Sequence, residues 1–195
     1  MAQYTGFTTE TAKRLMVDAG AFYKNLLTTE FNSLPDAKLI GATRGGGVFN
    51  AIPELRPIEV DGVKGRAKGL TNLNSWDINM TANVLEMTVE TLKLALATTT
   101  VDTTTDTDYD IIKANNDIAE SDYVDNITYV GKLSGSEKPV IIQMFNVLNS
   151  NGLSITREDK NESVVTMELH GHYAAEDLES PPFAIYYPKA PVVTP

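Results

Sequence analysis

The chain has 195 residues, enough to bury a sizeable core within one domain, and 42% of them are hydrophobic. It contains no cysteine, which excludes disulfides and thiolate metal sites and suits maturation in a reducing compartment. A net charge of −10 argues against general affinity for nucleic acid, which draws on lysine and arginine to neutralise phosphates.

The N-terminal MAQYTGFTTETAKRL lacks the basic-then-apolar order of a signal peptide, and no apolar run approaches a membrane span. The expectation is a protein that is soluble and cytoplasmic when made. Sequons at Asn79, Asn126 and Asn161 carry no weight without a secretory route.

Residues 8–18 predict a short helix capped by Thr8 or Thr9, with Glu10 in the first turn and Ala12, Leu15, Met16 and Ala19 at helical spacing. It ends at Gly20, and the aromatic-rich AFYKNLL of residues 21–27 predicts a strand. The glycines of TRGGGVF, residues 43–49, fit a tight turn or a close backbone contact with a neighbour. A phosphate loop is excluded there, because it needs a lysine at a helix start and a strand follows instead. Across 48–60, Pro53 and Pro57 fall four apart in an extended run, so one edge loses N–H groups and the segment reads as a guarded edge strand. The loop that follows, 61–70, holds Lys64, Arg66 and Lys68 between glycines.

Trp76, Ile78, Met80, Ala82 and Val84 alternate strictly with Asp77, Asn79, Thr81 and Asn83, which predicts a strand with one dry and one wet face. A helix over 88–97 follows, with Thr88 as cap, Glu90 in the first turn, and Val89, Leu92 and Leu96 on one side. The tract TTTVDTTTDTDYD, residues 98–110, is too hydrophilic to bury, and acid dominates onward to Asp125; it reads as a loop or flap. Strands are expected over 127–133 and over 140–148, the latter buried on both faces, with a turn at 149–152 leading into 153–157. Val165, Met167, Leu169, Gly171 and Tyr173 then alternate with Thr166, Glu168, His170 and His172. The proline-rich C-terminus, 181–195, predicts an extended arm that reaches beyond its own domain. The class is mostly β (α+β), an antiparallel sandwich or barrel with one or two short helices in a single domain.

Little catalytic chemistry is visible. No serine lies in a nucleophile motif, cysteine is absent, and there are two histidines, so the reading is a non-enzyme without cofactor. His170 and His172 have a spacing compatible with a metal, but no third ligand stands at recognisable spacing, and a solvated strand face is the simpler reading. Asp106, Asp108 and Asp110 resemble a calcium loop with Asp117 at its twelfth place, yet Ile111 occupies the place that needs glycine.

The basic loop has two readings. It is either a solvent-exposed hairpin loop or, because its cations face an acidic excess at 102–125, one side of a head-to-tail contact between copies.

Residues 38–96, KLIGATRGGGVFNAIPELRPIEVDGVKGRAKGLTNLNSWDINMTANVLEMTVETLKLAL, resemble the tail tube (major tail) proteins of long-tailed bacteriophages and phage-derived bacteriocins, and RLMVDAGAFYKN, residues 14–25, extends the likeness. The resemblance implies a β-sandwich flanked by a helix, six subunits to a ring, and rings stacked into a tube that conducts DNA on ejection. It implies as partners further copies, the tape measure, tail tip or baseplate and sheath proteins, and a location in the virion tail after assembly in the host cytoplasm, away from any membrane. The family's inter-ring loop matches this chain at 61–70, which makes Asp61, Lys64, Arg66 and Lys68 the expected stacking residues. The expected lumen face is Asp77, Asn79, Thr81, Asn83, Thr166, Glu168, His170 and His172, an acidic wall along which DNA slides. Two other readings remain beside it: the tube of a type VI secretion system, and a monomeric β-sandwich that binds glycans or a bacterial surface.

Overall fold

A computed structural model describes residues 5–157 and 159–189. The protein is mostly β, built on one large antiparallel sheet, with a single α-helix among the described residues. The strands are β1 (Met16–Lys24), β2 (Thr43–Pro57), β3 (Thr71–Val84), β4 (Thr99–Asp102), β5 (Ile111–Ala114), β6 (Val124–Leu133), β7 (Val140–Asn149), β8 (Ser154–Thr156), β9 (Val164–Gly171) and β10 (Phe183–Tyr186); α1 is Val89–Leu96. Their order in the large sheet is β1-β6-β7-β9-β3-β2, with β10 added to β7 and β8 to β9, while β4 and β5 form a separate hairpin.

The sheet folds over at β7. Ile141–Met144 of this strand pair with β10, whereas Val147–Asn149 pair with β9, and Asn146 between them takes a positive φ of 49°. One strand thereby serves two leaves, β1-β6-β7-β10 and β7-β9-β3-β2. The core lies between them, joining Phe22, Ile127 and Met144 to Ile78, Met80, Val165, Met167 and Leu169. The expected strands at 76–84, 127–133 and 140–148 are present, that expected at 165–173 ends at Gly171, and strict alternation places every one of Ile78, Met80, Ala82 and Val84 inside. A smaller apolar cluster of Tyr23, Leu26, Val130 and Ile141 lies under Phe31 and Leu34.

Buried polar side chains tie the leaves to their connections. The Asn149 amide donates to the Ala95 and Gly152 carbonyls, and its Oδ1 accepts from the Glu168 N–H at 3.0 Å, so one residue fixes the end of α1, the 150–153 turn and β9. Gln143 donates to the Leu26 carbonyl at 2.7 Å, and Asn126 Oδ1 accepts from the Leu26 N–H at 3.0 Å. Such satisfied groups cost little to bury and specify one arrangement of the chain.

Several expectations are corrected. The helix over 8–18 is absent: a single 3-10 turn at Thr11–Lys13 leads into β1, which starts at Met16 instead of 21 and ends at Lys24. Strand pairing with β6 outweighs the helical spacing, and Asp18 (φ 68°) and Gly20 (φ 71°) form the irregularity that lets both halves of β1 pair. Helix α1 has its Thr88 cap, whose hydroxyl accepts the Thr91 N–H, but it buries Thr91, Leu94 and Ala95 in place of Val89, Leu92 and Leu96. The 98–125 tract is a two-stranded hairpin at both ends of its exposed tip, not a loop throughout. The C-terminal segment does not leave its domain over 183–186, where it pairs with β7 as β10; residues 190–195 lie outside the described residues.

The glycines at 43–49 resolve in favour of a close contact within the chain. A Cβ on Gly47 would lie 2.2 Å from the Thr81 carbonyl oxygen and 2.6 Å from the Phe22 ring, and Gly45 and Gly46 have φ of 77° and 69° where β2 shifts register. Among the described residues no helix is long and apolar enough to cross a membrane.

Candidate functional site: an extended arm and two charged loops

Strand β3 pairs with β9 only from Asn79 to Val84, so its first half, from Thr71, has β2 as its one partner. The β2–β3 hairpin therefore continues past the body of the sheet as a two-stranded arm of about 20 Å, taking about 3.3 Å per residue. Its base is anchored where the Tyr173 hydroxyl accepts the Trp76 N–H at 3.0 Å and where Phe183 packs on Phe49 and Trp76, with ring centroids 5.8 and 5.7 Å away. Along the arm Leu55 stands opposite Leu73, with a register shift beside Glu54, and Ser75 donates to Glu54 at 2.7 Å.

Sequence reasoning missed what the arm displays. Ile52, Leu55 and Leu73 are 46–57% exposed, and the loop beyond adds Ile58, Val60 and Val63. An isolated hairpin of this kind leaves apolar surface in water that a third strand or a partner normally covers. The signal was present in IEV and DGVKG, where aliphatic residues sit next to prolines and glycines with no strand left to bury them.

The loop at the tip, 58–70, begins with one further rung, Ile58 N–H to the Leu70 carbonyl at 2.9 Å, and is then shaped by turns closed by the Val63 and Leu70 N–H groups. Asp61, Lys64, Arg66 and Lys68 are all exposed, and none forms an ion pair with a described residue. A loop joins β2 to β3 here, and its hollow is lined by the aliphatic Ile58, Val60, Val63, Ala67 and Leu70 together with Glu59, Asp61 and Arg66.

The wet face is present across three strands. Asn50 donates to Asn79 at 2.7 Å, Thr81 Oγ1 accepts the Val48 N–H at 3.0 Å, and Thr166 donates to Asn83 at 2.9 Å. Register puts Asn79 opposite His170, Thr81 opposite Glu168, and Asn83 opposite Thr166. The His170 ring lies 3.8 Å from Asp77 through Nδ1 and 3.7 Å from Glu168 through Nε2. The carboxylates flank different ring nitrogens, and no group of three side chains suited to a metal ion occurs among the described residues.

His172 departs from this face. Strand β9 ends at Gly171, and the His172 ring turns toward the kink in β7, where Nδ1 is 2.9 Å from the Asn146 carbonyl and the ring meets Tyr123 edge-on at 5.1 Å. A carbonyl only accepts, so Nδ1 carries the proton. The expected eight-residue face is thus seven residues, without His172.

At the tip of the β4–β5 hairpin, Asp102 accepts from the N–H and hydroxyl groups of both Thr104 and Thr105, and Asp106 accepts the Asp108 and Tyr109 N–H groups at 2.8 and 3.1 Å. The bond from the Thr105 hydroxyl, followed by that from the Thr104 N–H, holds the Asp102 carboxyl well below the usual carboxylate range. A pKa lowered by folding stabilises the loop fully above the unfolded value, about 3.9, and that stabilisation is lost as pH falls through the lower folded value. In an NMR titration the Thr104 and Thr105 amides are expected to stay constant from pH 7 to 4 and to report an Asp102 midpoint below the unfolded value. A midpoint at the ordinary value would mean that these bonds do not persist in solution.

No protein-family model matches the chain, and no curated protein matches it in sequence.

Proposed function

We propose that the protein is a non-catalytic tube subunit of the phage-tail type, which assembles into rings that stack through the β2–β3 arm. The observation that carries this reading is the arm itself: two strands extended beyond their sheet, with exposed aliphatic side chains and a tip whose cations have no ion-pair partner among the described residues. A surface of this kind is stabilised by burial against another molecule. One polar leaf face, running from Asp77 to Asn83 and from Thr166 to His170, suits the lining of a hollow assembly, since net negative charge lets DNA pass without adhering. In this reading ring number, the tape measure, tip and sheath partners, and the virion location follow from the resemblance of residues 14–25 and 38–96. A glycan-binding module gains little support, because Trp76 is half-buried and packed edge-on against Phe183 instead of offering a stacking face.

Negative-stain microscopy and light scattering over a concentration series test the reading. Rings or hollow stacks are the expected result, and a strict monomer at every concentration would remove it. Changing Lys64, Arg66 and Lys68 together to glutamate is expected to leave the circular dichroism spectrum and the thermal midpoint unchanged while stacking falls at least about tenfold, since exposed charges contribute little to folding. Normal stacks from a folded triple variant would show that this loop is not the contact.

A further inference from the structure

We propose that the Asn151–Gly152 peptide is a self-modification site, at which the folded protein converts Asn151 to aspartate and isoaspartate through a cyclic imide, with water as the only co-reactant. The chemistry proceeds whether or not copies stack.

Of the chain's asparagines, Asn151 alone is followed by glycine, and the pair lies in the turn that joins β7 to β8. Glycine has no Cβ to shield its nitrogen and its backbone turns freely, so that nitrogen can reach the side-chain carbonyl carbon of the residue before it. Both reacting groups are open here. Asn151 is exposed, Gly152 has a φ of 65°, and no neighbour stands within 4 Å of where a Gly152 Cβ would be. Neither the Asn151 amide nor the Gly152 N–H has a hydrogen-bond partner among the described residues, so nothing holds the two groups apart.

Other sites lack this combination. Asn149 is buried, its amide donates to the Ala95 and Gly152 carbonyls, and the Ser150 N–H that would attack it is given to the Glu168 carbonyl at 3.0 Å. At Asn32 the Ser33 N–H is given to the Glu30 carbonyl at 2.9 Å. Asp61–Gly62 in the arm loop is as open, with a φ of 86° at Gly62, but a carboxylate resists attack and has no amine to release.

In the first step the Gly152 nitrogen gives its proton to solvent and bonds to the Asn151 Cγ, while the Cγ–Nδ2 bond breaks and Nδ2 leaves as ammonia. Water then opens the imide. Cleavage between Cγ and the nitrogen leaves aspartate; cleavage at the main-chain carbonyl leaves isoaspartate, with Gly152 joined through Cγ and one carbon added to the path of the chain. Either product adds a negative charge to the −10 of the protein. The longer path of isoaspartate must fit between fixed points, since the Ser150 N–H is tied to Glu168, Leu153 packs on the core, and the Gly152 carbonyl accepts the Asn149 amide at 3.1 Å.

Prolonged incubation of the unaltered protein at mildly alkaline pH, followed by isoelectric focusing and peptide mass mapping, tests the assignment. A more acidic band should appear, and the peptide containing residue 151 should gain about 1 Da, at least about tenfold faster than those containing Asn32 or Asn149. Because the native turn leaves both groups free, the folded protein should react at Asn151 within about threefold of its rate in guanidinium, whereas Asn149 should react only once unfolded. Asn151→Gln should remove the acidic band and leave the circular dichroism spectrum unchanged, because the longer side chain cyclises slowly. An acidic band that persists in Asn151→Gln, or a residue 151 that reacts only in guanidinium, would overturn the assignment.

Discussion

A variant in which residues 58–70 are replaced by Asn-Gly is expected to fold, to remain monomeric, and to lose stacking by at least about 100-fold in association. Pro57 stands directly opposite Thr71, so a two-residue turn of the primed type can close the hairpin at this rung without altering the register below it. The removed loop contributes no residue to either apolar core, and folding stability is expected to change by less than about 1 kcal/mol. Association is a different matter. Removing Ile58, Val60, Val63 and Leu70 removes several aliphatic groups, each worth about 1.5–3 kcal/mol when fully buried, and half of one such sum exceeds the roughly 2.7 kcal/mol that corresponds to 100-fold. Sedimentation velocity of the shortened and full chains gives the comparison. A shortened protein that stacks at the original concentration would assign assembly to the sheet edges instead of the arm.

Phe22→Ala is expected to cost about 3–5 kcal/mol, much of the 5–15 kcal/mol available to a domain, as measured by urea denaturation. Phe22 is 1% exposed, tilts against Tyr129 at 5.4 Å, and fills the space beneath Gly47 where β1 approaches β2. The cavity would open where the two leaves meet, which leaves few neighbours free to collapse into it. A double-mutant cycle with Gly47→Ala sharpens the argument. Removing the ring relieves one of the two clashes of the new Cβ, but the Thr81 carbonyl at 2.2 Å is backbone and remains. The two substitutions should therefore show only partial compensation. Full rescue of Gly47→Ala by Phe22→Ala would mean that the ring, not the β3 backbone, sets the limit at Gly47.

Much of the body was legible because alternation is a local signal. Trp76 to Val84 and Val165 to Leu169 write their burial directly into the sequence, and the Thr88 cap marks the start of α1. What failed depended on partners remote in sequence. Residues 12–19 have helical spacing, yet β6, more than a hundred residues away, supplies the hydrogen bonds that make Met16–Lys24 a strand. The same applies to β10, whose prolines suggested an arm until β7 offered an edge. At the candidate site, the cationic loop was recognisable from Lys64, Arg66 and Lys68, while its exposed aliphatic residues were not, because Ile58 and Val63 are ordinary in composition and exceptional only in having nothing above them. His172 illustrates the converse: correct parity could not anticipate that β9 ends one residue earlier.

The order of the strands also fixes a sequence of events in time. The pairs β2–β3 and β6–β7 join strands consecutive in the chain, whereas β1–β6 and β3–β9 join residues 81 to 117 positions apart, so the latter wait on slow loop closure. Hairpins form within microseconds and distant pairings over milliseconds to seconds. During synthesis the β2–β3 hairpin emerges well before β9, the strand that will seat it in the sheet. The nascent polypeptide therefore presents its most adhesive element before the rest of the molecule exists to hold it, and the interval before β9 arrives is when it is most exposed to premature aggregation.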